Sequence, residues 1–395
     1  MTLMLKHAMQ PDRTGDDVAR GRFVSALRGF ILNDLAQDMR TAYDTRAVPA
    51  FMKANGRAPE TSAEAHKALR GDPAFKVYSA ARVHAQTMVW DSVAPVVARE
   101  RAAIEAAAEA AGAAADVAID PELSLPRNVT GLDVHLMPGG YAGRADYPLA
   151  AGAVYDQGLA IFSMGLMGEN LDDIGRSMAG FVHHAFPDFA PQAILDVGCT
   201  IGHNTLPWKQ EYPGADVHAV DVSAAGLLYG AARAKMQGAD IAFHQMDAEA
   251  LKFPDASFDL VFSSMFLHEL SKKTRAAFFR EARRVLKPGG LLLNMELPPN
   301  SQMGAFEGFY LDWDCYYNNE PYYKGFRDEN PRDLCRAAGF ADESYLQFVV
   351  PSIGIYGTDA VADAARAECH EVNSETTGRL AEGVQWFGFG AWNRA

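Results

Sequence analysis

The sequence predicts an α/β fold: a doubly wound, mostly parallel sheet that ends in a C-terminal antiparallel hairpin, joined to a mainly helical N-terminal domain. Three observations lead there. From residue 193 onward, short apolar runs alternate with helical stretches. A tract rich in proline and glycine between Asp120 and Pro148 divides the chain. Ahead of that tract, apolar residues recur at three- and four-residue spacing.

In chain order, Phe23, Leu27, Phe30, Ile31, Leu35 and Met39 predict a helix with one buried face. A second helical stretch runs through SAARVHAQTMVWDSVAPVVARERAAIEAAAEAA, where Pro95 marks a start or a kink. The tract PELSLPRNVTGLDVHLMPGGYAGRADYP suits loops, which sets the boundary between a helical region, residues 1–150, and an α/β domain, residues 151–395. Helical spacing returns in AAGAVYDQGLAIF and continues to HHAF. AILDVG, DVHAVDV, IAFHQMD and FDLVFSSM then read as parallel strands, with LLYGAARAKMQG and KKTRAAFFREARRVL as crossover helices. LLLNMEL, after the turn Pro288-Gly289-Gly290, supplies another strand, and QFVV with VQWFGFGAW the closing hairpin.

Composition narrows the function. At 395 residues, 49% apolar and 22% charged, the chain has the makeup of a folded globular protein. Its 36 basic and 50 acidic residues give a net charge of −14, which repels phosphate backbones and anionic lipid, so neither nucleic acid nor membrane is an expected partner. Cys199, Cys315, Cys335 and Cys369 have no zinc-site or disulfide spacing. His183 and His184, adjacent on a helix, point in different directions, so no metal site is expected. With no signal-like stretch at the amino terminus and no apolar run of about 18 residues, the expectation is a soluble, cytoplasmic protein.

The chemistry begins in AILDVGCTIGHNT, where a strand ends at Val197 and breaks into a loop bounded by Gly198 and Gly202. Glycine there permits close approach of a ligand to backbone. A dinucleotide fingerprint needs G-x-G-x-x-G, and this loop lacks it. Asp221, followed by Val222, closes the next strand, where a carboxylate can accept from both hydroxyls of a ribose. Asp247, followed by Ala248, comes at the tip of the third strand. Cys199 lies inside the loop without a His–Asp arrangement around it, so packing explains it better than nucleophilic catalysis.

Taken in order, DVGCTIG, Asp221, MDAEALKFPDASFDLVFSS and REARRVLKPGGLLLN resemble the class I S-adenosylmethionine-dependent methyltransferases, which have a Rossmann-like fold. The resemblance covers roughly residues 160–395. It implies S-adenosylmethionine as cofactor. Asp196, Gly198, Cys199 and Gly202 would shape the pocket for its methionine part, Asp221 and Val222 would hold the ribose, Asp247 and Ala248 would face the adenine, and Ser264 would line the floor. The family's loop is usually written with three glycines; Thr200 stands at the middle one.

The expected reaction is in-line methyl transfer to an O, N or S atom of a small molecule. The alternative is a non-catalytic ligand-binding or structural protein that keeps the fold, for which Thr200 is the supporting feature. His268, in SSMFLHELS beside Glu269, is the base candidate because it follows the fourth strand. In an insertion near residues 301–330, Phe306, Phe309, Tyr310, Trp313, Tyr316, Tyr317, Tyr322 and Tyr323 suit an aromatic or cationic acceptor. Tyr316 and Tyr317 join His268 as catalytic candidates. The same helical spacing would equally serve a buried face against the amino-terminal helices or a homodimer interface. From the amino-terminal side, His135 and the pair Tyr155-Asp156 are placed to reach the cleft.

Overall fold

The computed structural model describes residues 7–142, 146–367 and 384–394, so Cys369 lies outside the described residues. Its center is one eight-stranded sheet. The strands are β1 (Val117–Ala118), β2 (Ala193–Val197), β3 (Asp216–Asp221), β4 (Ala242–Gln245), β5 (Phe258–Ser264), β6 (Leu286–Glu296), β7 (Tyr345–Pro351) and β8 (Gln385–Trp392). Their spatial order is β1-β4-β3-β2-β5-β6-β8-β7. Every pair from β1 to β6 is parallel, and β8 runs antiparallel to both of its neighbors. The chain lays down β2, β3 and β4 in one direction, then returns to place β5 on the other side of β2.

Alternation along the strands divides the core into two layers. Ile194, Val217, Ala219, Leu260, Phe262, Leu291 and Leu293 face one side, packed with residues of helices Ala150–Phe162, Asp173–Ala185 and Ala224–Met236. Leu195, Val197, Val220, Val261 and Leu292 face the other side, packed with Phe278, Phe279, Ala282 and Val285 of helix Lys272–Val285. Each fully buried side chain of this kind contributes about 1.5–3 kcal/mol.

Two sheet features differ from expectation. The edge strand β1 comes from the region read as helical, paired only through Val117 and Ala118. The antiparallel pair β7/β8 is joined through helix Ile353–Arg366 rather than by a tight turn, and β8 enters the slot between β6 and β7. Gly390 fits that slot because the Leu292 carbonyl stands where a Cβ would be.

The amino-terminal helices start where side chains can cap them. Thr14 and Asp17 form a capping box ahead of Gly15–Phe30, and Asp72 caps Pro73–Arg99 with Pro73 in its first turn. Pro95 lies inside that helix, which ends at Arg99. The face predicted from apolar spacing is only partly correct: Phe23 and Phe30 are exposed, at 59% and 50%, whereas Gly21, Val24, Arg28 and Ile31 turn inward. Arg28 earns its burial through bonds to Gln86 Oε1 (2.7 Å) and the Phe162 carbonyl (3.1 Å). A π-helical turn at Ile31–Leu35 then shifts the face.

The aromatic insertion packs against these helices. On helix Ala305–Tyr316, Phe306, Phe309 and Tyr310 share a core with Tyr43, Phe75 and Tyr78, and buried Arg82 pairs with Asp314 at 2.5 Å. Among the described residues, no helix is long and apolar enough to cross a membrane.

Candidate functional site

The carboxyl ends of β2, β3, β5 and β6 converge where the strand order reverses, the place at which open α/β sheets bind ligands. Gly198 leaves β2 with φ 80° and donates its N–H to the Val220 carbonyl (2.8 Å). A methyl group there would overlap the Phe266 ring. Gly198→Ala should therefore lose about 2–4 kcal/mol of stability, combining a left-handed backbone with an overpacked contact. Urea unfolding checks this, and an unchanged midpoint would show that the loop relaxes freely.

Thr200, at the position of the family's middle glycine, also adopts the left-handed conformation, with φ 53°. A β-branched residue is costly there. The loop keeps the conformation because the Thr200 N–H donates to Asp221 Oδ2 (2.9 Å). The second Asp221 oxygen accepts from the Ser223 N–H (2.8 Å). Burial raises the Asp221 carboxyl, and the backbone donors partly offset this.

The neighboring candidates take distinct places. Asp196 is buried, accepts from the Thr205 hydroxyl (2.5 Å), and is pushed by burial up to about 7. Cys199 is buried and burial raises its thiol, so it lacks the thiolate a nucleophile needs. Gly202 closes the loop with φ 68°, its N–H on the Cys199 carbonyl (2.8 Å). The Val222 carbonyl accepts from Gln245 Nε2 (2.9 Å), and the Met246 N–H bonds the Asp221 carbonyl, which brings Asp247 and buried Ala248 beside Asp221. Ser264 Oγ accepts from Asn204 Nδ2 (2.9 Å).

Across from the loop lies a cluster of charges. His268 is 2% exposed, and its Nδ1 meets Glu296 Oε2 at 2.7 Å. Glu296, at the end of β6, uses its other oxygen to accept from the backbone N–H groups of Phe266 (2.8 Å) and Leu267 (2.5 Å). His135 reaches the same place: Nδ1 lies 3.0 Å from Glu320 Oε1 and Nε2 3.2 Å from Glu269 Oε1. Burial opposes the imidazolium form at both histidines. The surrounding glutamates outweigh it, holding His268 up at about 9 and His135 at about 10.

Tyr141 joins the two halves: its ring lies 6.0 Å from that of His135, and its carbonyl accepts from Ser223 Oγ (2.7 Å), while Tyr155 packs beside it. Their rings lie 5.9 Å apart. Asp156, by contrast, turns into the core toward His7 (3.0 Å) and Tyr229 (2.9 Å).

The insertion's tyrosines need a correction. Tyr316 is 67% exposed and stacks on Trp313, while Tyr317 bonds Trp313 and Ser79 among the amino-terminal helices. The insertion tyrosine that meets His268 is Tyr323, with ring centroids 4.9 Å apart. Glu296 and Glu320 were not singled out from sequence. Glu296 could have been found as an acid at a strand's carboxyl end, whereas Glu320, in a turn, carries no such signal. Among the described residues, no group of three or more His, Cys, Asp or Glu side chains is arranged to hold a metal ion.

Comparison with known proteins gives this arrangement a lineage. A methyltransferase-domain family model matches residues 194–290. A demethylmenaquinone methyltransferase of Thermus thermophilus is 36% identical over 117 residues, 30% of this chain and 52% of that protein. A ubiquinone/menaquinone biosynthesis C-methyltransferase of Laribacter hongkongensis is 30% identical over 198 residues, 44% of this chain and 80% of the relative. Among solved structures, a Haemonchus contortus phosphoethanolamine N-methyltransferase 2 matches with TM-score 0.42 and 20% identity, covering 61% of this chain and 57% of that one. The chain spans about half the length of the first curated relatives it matches, 52% and 46%. Identity of 30% along four-fifths of a relative, together with the ordered loop and acid motifs, makes this chain a member of the class I S-adenosylmethionine-dependent methyltransferases.

Proposed function

We propose that the protein transfers a methyl group from S-adenosylmethionine to a small-molecule acceptor by in-line displacement. The observation that carries this reading is the pairing of an acid-anchored glycine loop with the His268–Glu296 dyad, linked through Tyr141, which contacts His135 on one side and Ser223 on the other. The reversal of strand order and the covering of both sheet faces support a doubly wound sheet, with the crevice at its switch point.

The residues fit the cofactor. Each Asp221 oxygen already accepts from a backbone N–H, and a carboxylate has about four acceptor sites, which leaves capacity for ribose hydroxyls. Gly198 and Gly202 would allow the methionine part to approach the backbone, Asp247 and Ala248 would face adenine, and Ser264 would line the floor. When bound, S-adenosylmethionine supplies a methyl group already activated on a sulfonium.

What remains for the chain is alignment, exclusion of water and removal of a proton. Glu296 fixes the His268 ring through Nδ1, which turns Nε2 toward the acceptor as the proton-accepting atom. Because the glutamates hold His268 protonated up to about 9, turnover of an acceptor that must lose a proton rises with pH toward that value. Tyr141 and Tyr155 wall the crevice and suit an aromatic acceptor, while the carboxylates suit a cationic one. The net charge of −14 disfavors nucleic acid, and the buried thiols of Cys199, Cys315 and Cys335 suit a reducing, cytoplasmic compartment. We assign no catalytic role to Tyr316 or Tyr317.

Isothermal titration with S-adenosylmethionine and S-adenosylhomocysteine tests the reading first. Micromolar binding, about −8 kcal/mol, is expected; no binding of either would leave the non-catalytic alternative. With an acceptor found by labeled-methyl screening, His268→Asn should lower turnover on the order of 10²–10⁴-fold and leave cofactor affinity within a few-fold. Unchanged turnover would remove His268 from the reaction.

A further inference from the structure

His135 has both ring nitrogens occupied by carboxylates, Glu320 on Nδ1 and Glu269 on Nε2, so it cannot itself take a proton from an acceptor. Its backbone is nevertheless held in a conformation that proteins avoid. His135 and Leu136 are consecutive non-glycine residues in the left-handed region, with φ 58° and 56°. Such strain persists only where the surroundings over-determine it. Here the His135 carbonyl accepts from both Gln86 Nε2 (2.8 Å) and Trp90 Nε1 (2.7 Å). Gln86 is fixed in turn by Arg28 (2.7 Å) and Arg82 (3.0 Å).

The clamp acts on the reacting histidine. His268 Nε2 lies 4.0 Å from Glu269 Oε1 and 3.9 Å from Glu320 Oε2, too far for hydrogen bonds. Glu269 Oε1 is buried and, among the described residues, accepts no hydrogen bond beyond its ion pair with His135. Two carboxylate oxygens thus stand about the His268 Nε2 edge.

We propose that His135, carried by the amino-terminal region, is a positioning residue of the acceptor site: it holds Glu269 and Glu320 around His268 Nε2, so that the site takes acceptors bearing an O–H or N–H. This rests on the methyltransferase reading of the crevice. A hydroxyl or amino group beside Nε2 gives a hydrogen bond to a carboxylate and presents its lone pair away from it, whereas an ether or tertiary amide brings no donor to the carboxylate oxygens, which buried sites penalize.

The groups facing His268 are Glu296 from β6, Glu269 from its own turn, Glu320 after the insertion helix, the Tyr323 ring, and His135 acting through the two glutamates. Removing the His135 cation strengthens the field of Glu269 and Glu320 on His268, so His268 keeps its proton to higher pH. Removing the Glu320 anion does the opposite.

The test is a histidine-ring NMR titration of the full-length protein with S-adenosylhomocysteine added. His135→Gln should move the His268 midpoint upward by on the order of one pH unit, His135→Lys should restore it, and Glu320→Gln should move it downward. The opposite signs separate a charge effect from loosened structure, and Glu320→Gln decides if His135→Gln does not fold. An unmoved His268 midpoint, or a downward shift in His135→Gln, would overturn the proposal. Calorimetry on the same samples separates the two readings, because absent S-adenosylhomocysteine binding in the wild type defeats the methyltransferase reading while the midpoints still report on His135. In calorimetry with S-adenosylhomocysteine added, a phenol or amine should bind and its O- or N-capped counterpart should not; equal affinity of the two would overturn the selectivity.

Discussion

An Asp221→Ala protein should lose affinity for S-adenosylmethionine by on the order of 100-fold. Two effects combine. The carboxylate supplies charge-assisted acceptors for the ribose, worth about 1.5–3 kcal/mol each, and it also fastens the loop through the Thr200 and Ser223 N–H groups. Without it, the left-handed Thr200 backbone loses the hydrogen bond that restrains it. Asp221→Asn keeps an acceptor oxygen and should fall between wild type and alanine. Calorimetry with S-adenosylhomocysteine reads the effect, and an alanine variant that binds as tightly as wild type would move the ribose elsewhere.

Asp156→Ala should cost about 3–5 kcal/mol of folding stability, the usual penalty for stranding one member of a buried ion pair. Asp156 is fully buried. It accepts from His7 (3.0 Å) and Tyr229 (2.9 Å), and its other oxygen lies 3.6 Å from Arg233 Nε, itself 1% exposed. Burial alone would raise its carboxyl, yet His7 and Arg233 hold it below the ordinary range. A lowered folded-state pKa stabilizes the protein above the unfolded value, about 3.9, and that contribution is lost as pH falls through the folded one. The gap between wild type and variant in urea midpoints should therefore narrow on acidification. Equal midpoints at neutral pH would show that the core closes over the vacancy.

Much of the α/β domain was legible because its signals are local. Short apolar runs alternating with helical stretches gave β2 through β6, and the loop and Asp221 lie within one βαβ unit, so spacing alone placed them together. The chemistry opposite the loop was less legible because it is assembled over long separations. His135 and Glu320 are 185 residues apart, and no periodicity brings them face to face. The aromatic insertion was ambiguous for another reason: helical spacing shows that Phe306, Phe309 and Tyr310 share a face, not what the face meets. Phe23 and Phe30 were misplaced because apolar spacing does not anticipate an inward Arg28 satisfied by Gln86.

The threading of β8 between β6 and β7 also orders events at the ribosome. β6 and β7 are made first, but neither meets its antiparallel neighbor until synthesis reaches residue 392. At a typical 5–20 residues per second, the stretch from Pro351 to Trp392 takes roughly 2–8 s. During that interval the parallel half of the sheet can already assemble, while β6 presents an open edge that a neighboring nascent chain could pair with. β8, inserted between β6 and β7, thus also closes the β6 edge against pairing with other copies of the chain.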